Sequence, residues 1–496
     1  DMLDLDLDLE ADLGVDTVKQ AETFAAIRQE YGIERDDSLA LRDYPTLNDV
    51  IGFVYAKRPD LAGTSAQPAP STVPEATSTP PVASSLLSGD DAAAAEIARR
   101  IPTPMLRPDI GHCLPSGVSL DSDSRVVVML DEGGVGRSLL MRLDKLDVAT
   151  LTLEGALDAN EVRARLDSFS EKGPISGVYW LSALDVEDSV TDLDLDGWRE
   201  ALRRRVKLLY ETMRHLYDTV GDSGTFLVAA TRLGGLHGYG PHGATAPMGG
   251  ATVGFTKAFK REKPDAQVKA VDFPVSRKTA ALADALIEET LFDPGAVEIG
   301  RKGGRRWTVG IVEEDLLEEP AGIDLGSESV FVVTGAAGSI TSAITADLAG
   351  ASQGTFHLLD LTPEPDRGDP EIAAFSTDRE GLKRTIFDRL KAAGDKATPA
   401  IVERHLADIE RRHAALSAIQ AIEAAGGTAV YHSVDLRDGD AVGAAMVRVR
   451  EDHDRVDVLL HAGGLEISRL LPDKERTEFD LVFDVKADGW FNLLHG

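Results

Sequence analysis

Thr334-Gly335-Ala336-Ala337-Gly338-Ser339-Ile340 is the stretch with the residue types and spacing best suited to chemistry. An apolar run from Val330 precedes it, and a helix-forming stretch, Ser342–Leu348, follows. Glycines in such a turn let the backbone approach a pyrophosphate, while the helix N-terminus supplies amide donors and a positive dipole end. A second apolar run, Thr355–Leu359, comes next, so strand, turn, helix and strand arrive in the order a dinucleotide site needs. Thr334, Gly335, Ala336, Gly338, Ser339 and Ile340 are therefore candidate cofactor contacts. Thr341 stands where a further glycine is usual, which predicts a tighter fit around the phosphate.

Four further positions extend this candidate site. Asp360 ends the second strand, 22 positions after Gly338, where a carboxylate accepts hydrogen bonds from an adenosine ribose. Such a carboxylate disfavours a 2′-phosphate, so the local chemistry leans to NADH; the alternative is a turn aspartate ahead of Pro363. Asp435 and Leu436 follow a predicted strand, Ala429–Val434, and would lie beside the adenine; Asp435 is equally suited to cap the next helix. His461-Ala462-Gly463-Gly464 follows the strand Val456–Leu460, at the carboxyl edge where a cofactor crosses a parallel sheet, and its small residues leave room for a ribose. Lys486, on the next helix, can hydrogen-bond a tyrosine or ribose hydroxyl and lower a neighbouring pKa, and otherwise is a solvated helix lysine.

The elements that must hold these residues alternate between strand-like and helical runs, the pattern of a parallel α/β sheet. They also repeat. Arg125-Val-Val-Val-Met-Leu-Asp-Glu-Gly-Gly-Val-Gly is similar to the run from Val330, and Gly177-Val-Tyr-Trp-Leu-Ser-Ala-Leu to the run from Val456. Arg205-Val206-Lys207 matches Asp484-Val485-Lys486. Ser182 and Lys207 lie 25 positions apart, Ala462 and Lys486 lie 24 apart, so two copies of one nucleotide-type fold are expected. The first continues 109 residues beyond Lys207 to about Leu316, the second only 10 beyond Lys486, which predicts a truncated second fold with an unpaired apolar edge.

Ahead of the repeat, residues 1–57 read as a small helical unit, with an amphipathic helix over Thr17–Tyr31 and a second helix over Thr46–Tyr55. Residues 58–90, rich in Pro, Ser and Thr, read as an extended tether. The 496 residues, 43% hydrophobic, allow roughly three domains. A net charge of −32 argues against nucleic acid or an anionic membrane as partner, and no apolar run is long enough to span a bilayer. The single cysteine, Cys113, excludes an internal disulfide and a cysteine-cluster metal site, so no metal is expected and a cytoplasmic setting is the default.

With these residues assembled, the chain resembles the ketoreductase region of polyketide synthases, within the short-chain dehydrogenase/reductase superfamily. Thr334–Ile340, Asp435-Leu436, His461–Gly464 and Val485-Lys486-Ala487-Asp488-Gly489 carry the resemblance. The helical insertion from Thr398-Pro399 through Ala421-Ile-Glu-Ala-Ala-Gly-Gly points to the polyunsaturated-fatty-acid-synthase branch. The resemblance implies tandem Rossmann-like folds: a structural subdomain at 91–322 that has lost its cofactor site, then a catalytic one at 323–496. It implies hydride transfer from NADPH or NADH to a carrier-bound β-ketoacyl thioester, with Lys486 as the catalytic lysine. The family's serine, tyrosine and asparagine would fall beyond Gly496. Other domains of the same synthase are the implied partners. A non-catalytic scaffold is the rival reading. Leu9-Glu10-Ala11-Asp12-Leu13-Gly14-Val15-Asp16-Thr17 likewise resembles the acyl-carrier motif, lacking the first carrier helix, with Thr17 where a serine receives 4′-phosphopantetheine. The β-methyl of Thr17 crowds that attachment.

Overall fold

The computed structural model describes residues 46–58, 99–314, 324–394 and 396–496, together with Ile27. Thr17 and the tether lie outside the described residues. Helix α1 (Leu47–Lys57) is opened by a capping box, in which the Thr46 side chain and Asp49 satisfy each other's backbone amides.

The first sheet has eight strands in the order β1-β8-β7-β6-β5-β4-β2-β3. Its parallel centre consists of β2 (Arg125–Met129), β3 (Ala149–Leu153), β4 (Gly177–Trp180), β5 (Phe226–Thr231), β6 (Gln267–Asp272) and β7 (Glu298–Lys302). Val126, Val127 and Val128 are all buried, as are all residues of β4, β5 and β6. Continuous rather than alternating apolarity follows because helices cover both faces of such a sheet. The covering helices are α2 (Val135–Asp144), α3 (Ala159–Ser170), α4 (Leu195–Leu202), α5 (Leu208–His215), α6 (Gly249–Glu262) and α7 (Thr279–Leu291). A π-helical turn, Arg203–Lys207, joins α4 to α5. At one edge β8 (Arg305–Glu314) turns antiparallel and pairs with β1 (Arg99–Arg107). β1 carries Pro102 and Pro104, which is tolerated in an edge strand.

The second sheet has four parallel strands in the order β11-β10-β9-β12. These are β9 (Val330–Thr334), β10 (Thr355–Asp360), β11 (Thr428–Ser433) and β12 (Val458–His461). Chain order reverses at β9, which sits between β10 and β12, and that switch point is where open α/β sheets place ligands. Phe331 and Phe356 stack with ring centroids 4.2 Å apart in the core beneath. The helices along this stretch of chain are α8 (Ser339–Ser352), α9 (Pro370–Thr377), α10 (Arg379–Ala393), the 26-residue α11 (Pro399–Ala424), α12 (Gly439–His453) and α13 (Arg476–His495). Between β10 and β11, α10 and the first half of α11 build a small core of their own from Leu382, Ile386, Leu390, Val402, Leu406 and Ile409.

The chain divides into two compact units that cut across linear order: residues 436–447 and 463–496 fold with the first sheet, 324–435 and 448–462 with the second. Within the first unit α13 packs on α4 and α5. Trp198 stacks on Phe491 at 5.2 Å and Tyr210 on Phe479 at 4.1 Å. Around the rings Arg199 Nε lies 2.8 Å from Asp488, Lys207 Nζ 2.7 Å from Asp484 and 2.9 Å from Asp480, and Arg214 2.7 Å from Glu475.

Candidate nucleotide site

Gly335 opens the turn after β9 with φ of +64°, a conformation glycine adopts without strain. Its N–H donates to the Leu359 carbonyl at 3.0 Å, which ties the turn to the end of β10. Gly338 then serves as N-cap of α8, and no side chain caps that terminus. Ser339 and Ile340 are exposed there, Ile340 by 76%. Amides at an uncapped helix start, at the switch point of a parallel sheet, are the donors a pyrophosphate takes. A Cβ on Gly338 would sit 3.2 Å from the Gly335 carbonyl and 3.6 Å from the Thr341 hydroxyl. Thr341 is buried, with its hydroxyl near Gly338.

Thr334, fully buried, has a role that its residue type alone did not disclose. Its Oγ1 accepts from the Ala462 N–H at 3.1 Å and lies 2.9 Å from His461 Nδ1, joining the carboxyl ends of β9 and β12. His461 is thereby a partnered, half-buried residue at that edge. Asp360 Oδ1 accepts from the Thr362 N–H at 3.0 Å, and Tyr431 donates its hydroxyl to the Thr362 carbonyl at 2.9 Å. The carboxylate is thus fixed in a turn at the strand end. Arg367 does not return to it. Its guanidinium pairs with both carboxylate oxygens of Glu423, at 2.9 and 2.5 Å.

Asp435 is half-buried after β11, and the helix-capping role belongs to Asp438, whose Oδ1 accepts from the Ala441 N–H at 3.0 Å. These residues belong to the second unit up to Asp435. Leu436, Gly463 and Lys486 belong to the first. There the buried Leu436 gives its carbonyl to Asn492 Nδ2 at 2.8 Å. Lys486 lies over Gly464: a Cβ at that glycine would be 2.7 Å from Lys486 Cε and 3.2 Å from Nζ. Its first-fold counterpart, Lys207, pairs with Asp480 and Asp484. Among the described residues no group of three or more His, Cys, Asp or Glu side chains is placed to hold a metal.

Comparison with known proteins places this geometry. Residues 381–496 match the short chain dehydrogenase family. The full chain aligns, at 24% identity over 531 residues, with one subunit of the polyunsaturated fatty acid synthase from a Thraustochytrium species, and spans 18% of that subunit's length. Among solved structures it resembles the adenylation, ketoreductase and pseudo-Asub multidomain structure of a keto acid-selecting NRPS module. That match has a TM-score of 0.58 and 14% identity, covering 80% of this chain and 30% of the other. An N-terminal ketoreductase from the macrolactin assembly line matches at TM-score 0.55 and 11% identity over 81% and 73%, and an A1-type ketoreductase at 0.51 and 17% over 80% and 70%. The fold is Rossmann-like α/β, as in these ketoreductase structures, with two largely parallel sheets. A nicotinamide is the cofactor such a fold implies, and the open α8 terminus behind Gly335 and Gly338 fits its pyrophosphate.

Proposed function

We propose that the chain is a section of a polyketide- or fatty-acid-type megasynthase whose second fold serves NAD(P)H-dependent reduction of a carrier-bound β-ketoacyl thioester to the β-hydroxyacyl product. One observation carries the reading: the amides of the α8 terminus, uncapped by any side chain, open at the switch point of the second sheet. When bound, a nicotinamide supplies hydride to the β-carbonyl carbon. The chain's own part is to hold it. Gly335 to Ile340 cradle the pyrophosphate, Asp360 takes the adenosine ribose, Asp435 and Leu436 flank the adenine, and His461 to Gly463 border the nicotinamide ribose. Lys486 holds a neighbouring hydroxyl by hydrogen bond and, as a cation, lowers its pKa. NADH is the expected preference, because among the described residues no cation pairs with Asp360 and Arg367 is committed to Glu423.

In linear order we assign 1–57 to a carrier-like domain with Thr17 at the phosphopantetheine position, 58–90 to a tether, 91–322 to the structural fold and 323–496 to the catalytic fold. Other domains of the synthase are the partners, in the cytoplasm. No helix of the described residues is long and apolar enough to cross a membrane. Titration of NADH into the chain, followed by nicotinamide fluorescence, tests the assignment. Saturable binding, weakened at least about tenfold by Gly338→Asp through loss of the amide cradle, is the expected result. A chain that binds neither nicotinamide favours the scaffold reading instead.

A further inference from the structure

The two folds treat the same structural position in opposite ways. Leu130 N–H donates to the Leu153 carbonyl at the end of β3, as Gly335 N–H does to Leu359 near the end of β10, each at 3.0 Å. These bonds align Leu130 with Gly335 and therefore Asp131 with Ala336. Both are buried, at 4% and 0% exposure. In the second fold the methyl of Ala336 leaves the α8 amides to an outside ligand. In the first, Asp131 turns its carboxylate onto the start of α2, where Oδ2 accepts from the Val135 N–H at 3.0 Å and Oδ1 from the Gly136 N–H at 2.7 Å. Glycine at 136 permits this approach, since a Cβ there would meet Asp131 Oδ1 at 3.3 Å and Leu130 Cδ2 at 2.6 Å.

The same substitution of ligand by side chain recurs around that carboxyl edge. Glu187 Oε2 accepts from the Met248 N–H at 3.0 Å, at the start of α6, and pairs with buried Arg205 at 3.2 Å. Asp272, at the end of β6, accepts from the Leu233 and His237 amides at 2.5 and 2.8 Å and from the Thr231 hydroxyl at 3.1 Å. One cation on this edge is left over. Arg232 is buried, and its Nε has no hydrogen-bond partner. A Cβ on Gly133 would lie 3.0 Å from Asp131 Oδ2 and 3.8 Å from Arg232 Nη2, so carboxylate and guanidinium border one point beside the α2 terminus.

We infer that Asp131 acts as a built-in anion, occupying from within the chain the amides that a phosphate would take, so that the first fold is closed to phosphate ligands by one side chain. Removing it uncovers a pyrophosphate site made of the Val135 and Gly136 amides, with Arg232 as its cation. The variant Asp131→Ala installs the residue type of the second fold. Calorimetric titration with inorganic pyrophosphate, in a Gly338→Asp background that silences the second fold's turn, isolates the new site. The expected result is no binding before the change and one site per chain after it, weakened at least about fivefold by Arg232→Gln and falling with salt. Asp131→Asn, which keeps one acceptor oxygen, should fold like the parent and bind less tightly than Asp131→Ala. If Asp131→Ala alone is unfolded, recovery of a cooperative transition with pyrophosphate, but not with chloride at equal ionic strength, is the supporting result. A folded Asp131→Ala chain without the additional site, or an unfolded one that pyrophosphate does not restore, overturns the inference. Neither outcome depends on whether the second fold binds nicotinamide.

Discussion

Replacing Asp360 with asparagine removes one negative charge from the end of β10 while keeping the oxygen that accepts from Thr362, so the turn survives and only the charge changes. An adenosine 2′-phosphate would bring its own charge to within about 4 Å of that carboxylate. The repulsion is about 1 kcal/mol at the dielectric of water and about 4 kcal/mol at that of a protein surface cleft. These bounds correspond to a preference for NADH over NADPH of about fivefold to several hundredfold. No compensating cation reduces the figure through Arg367, whose two bonds to Glu423 would have to break first. Dissociation constants for both nicotinamides, by fluorescence titration of the parent and of Asp360→Asn at fixed ionic strength, give the ratio directly. The parent should favour NADH, and the substitution should move the ratio towards NADPH by at least fivefold, in part by weakening NADH, since the oxygen that would accept from the ribose becomes an amide NH2. A parent that prefers NADPH, with a ratio that Asp360→Asn leaves unchanged, would show that the carboxylate faces away from the ribose.

Glu289, fully buried on α7, accepts from Arg306 Nε and Nη2 at 2.8 and 2.7 Å, Lys269 Nζ at 2.9 Å and Arg301 Nε at 2.8 Å. Glu289→Ala strands those cations and should cost about 3–5 kcal/mol in urea unfolding of the first fold; a loss below about 1 kcal/mol would refute the network's role. His357, fully buried on β10, lies 3.0 Å from His432 and edge-on to His453, and burial first, then these histidines, push its pKa down to about 4. A lowered imidazole pKa means that the fold holds the neutral form. Stability is therefore complete above the ordinary value of 6.5 and lost as pH falls towards 4, by up to about 3 kcal/mol. His357→Leu should flatten that stretch of the urea midpoint against pH, and an unchanged slope would assign the loss to other groups.

How much of this was legible in the sequence depends on whether a residue's partner lies nearby in the chain. The turn at Gly335, the strands around it and the internal repeat were readable, because valine runs and glycine spacing are local signals. The cap before α12 was half-readable: sequence offered Asp435, and the structure uses Asp438. Nothing local in the sequence marks Asp131, beside a glycine turn, or Arg205, inside a basic run, as buried. Their partners, the α2 amides and Glu187, become visible only once the chain has folded. Thr334 was singled out for a cofactor, yet its hydroxyl is engaged across 127 residues with His461, a pairing that no periodicity encodes. Nor did any signal announce β1, whose two prolines resemble the tether before it more than a strand.

The contact between α13 and the helices at Leu195–His215 is written in charge. Arg199, Lys207 and Arg214 run along one partner, and Asp488, Asp484 and Glu475 run the opposite way along the other, so cation meets anion at every step. These are the corresponding helices of a duplicated fold, and two identical copies could not be complementary in this way. Like-with-like association between chains would set most of these cations against cations, or anions against anions, over the same stacked rings, and is thereby disfavoured, with Arg476 and Glu211 the one pair of opposite polarity among those described. The divergence that made the duplicate helices unlike each other is thus also what lets them fit each other within one chain.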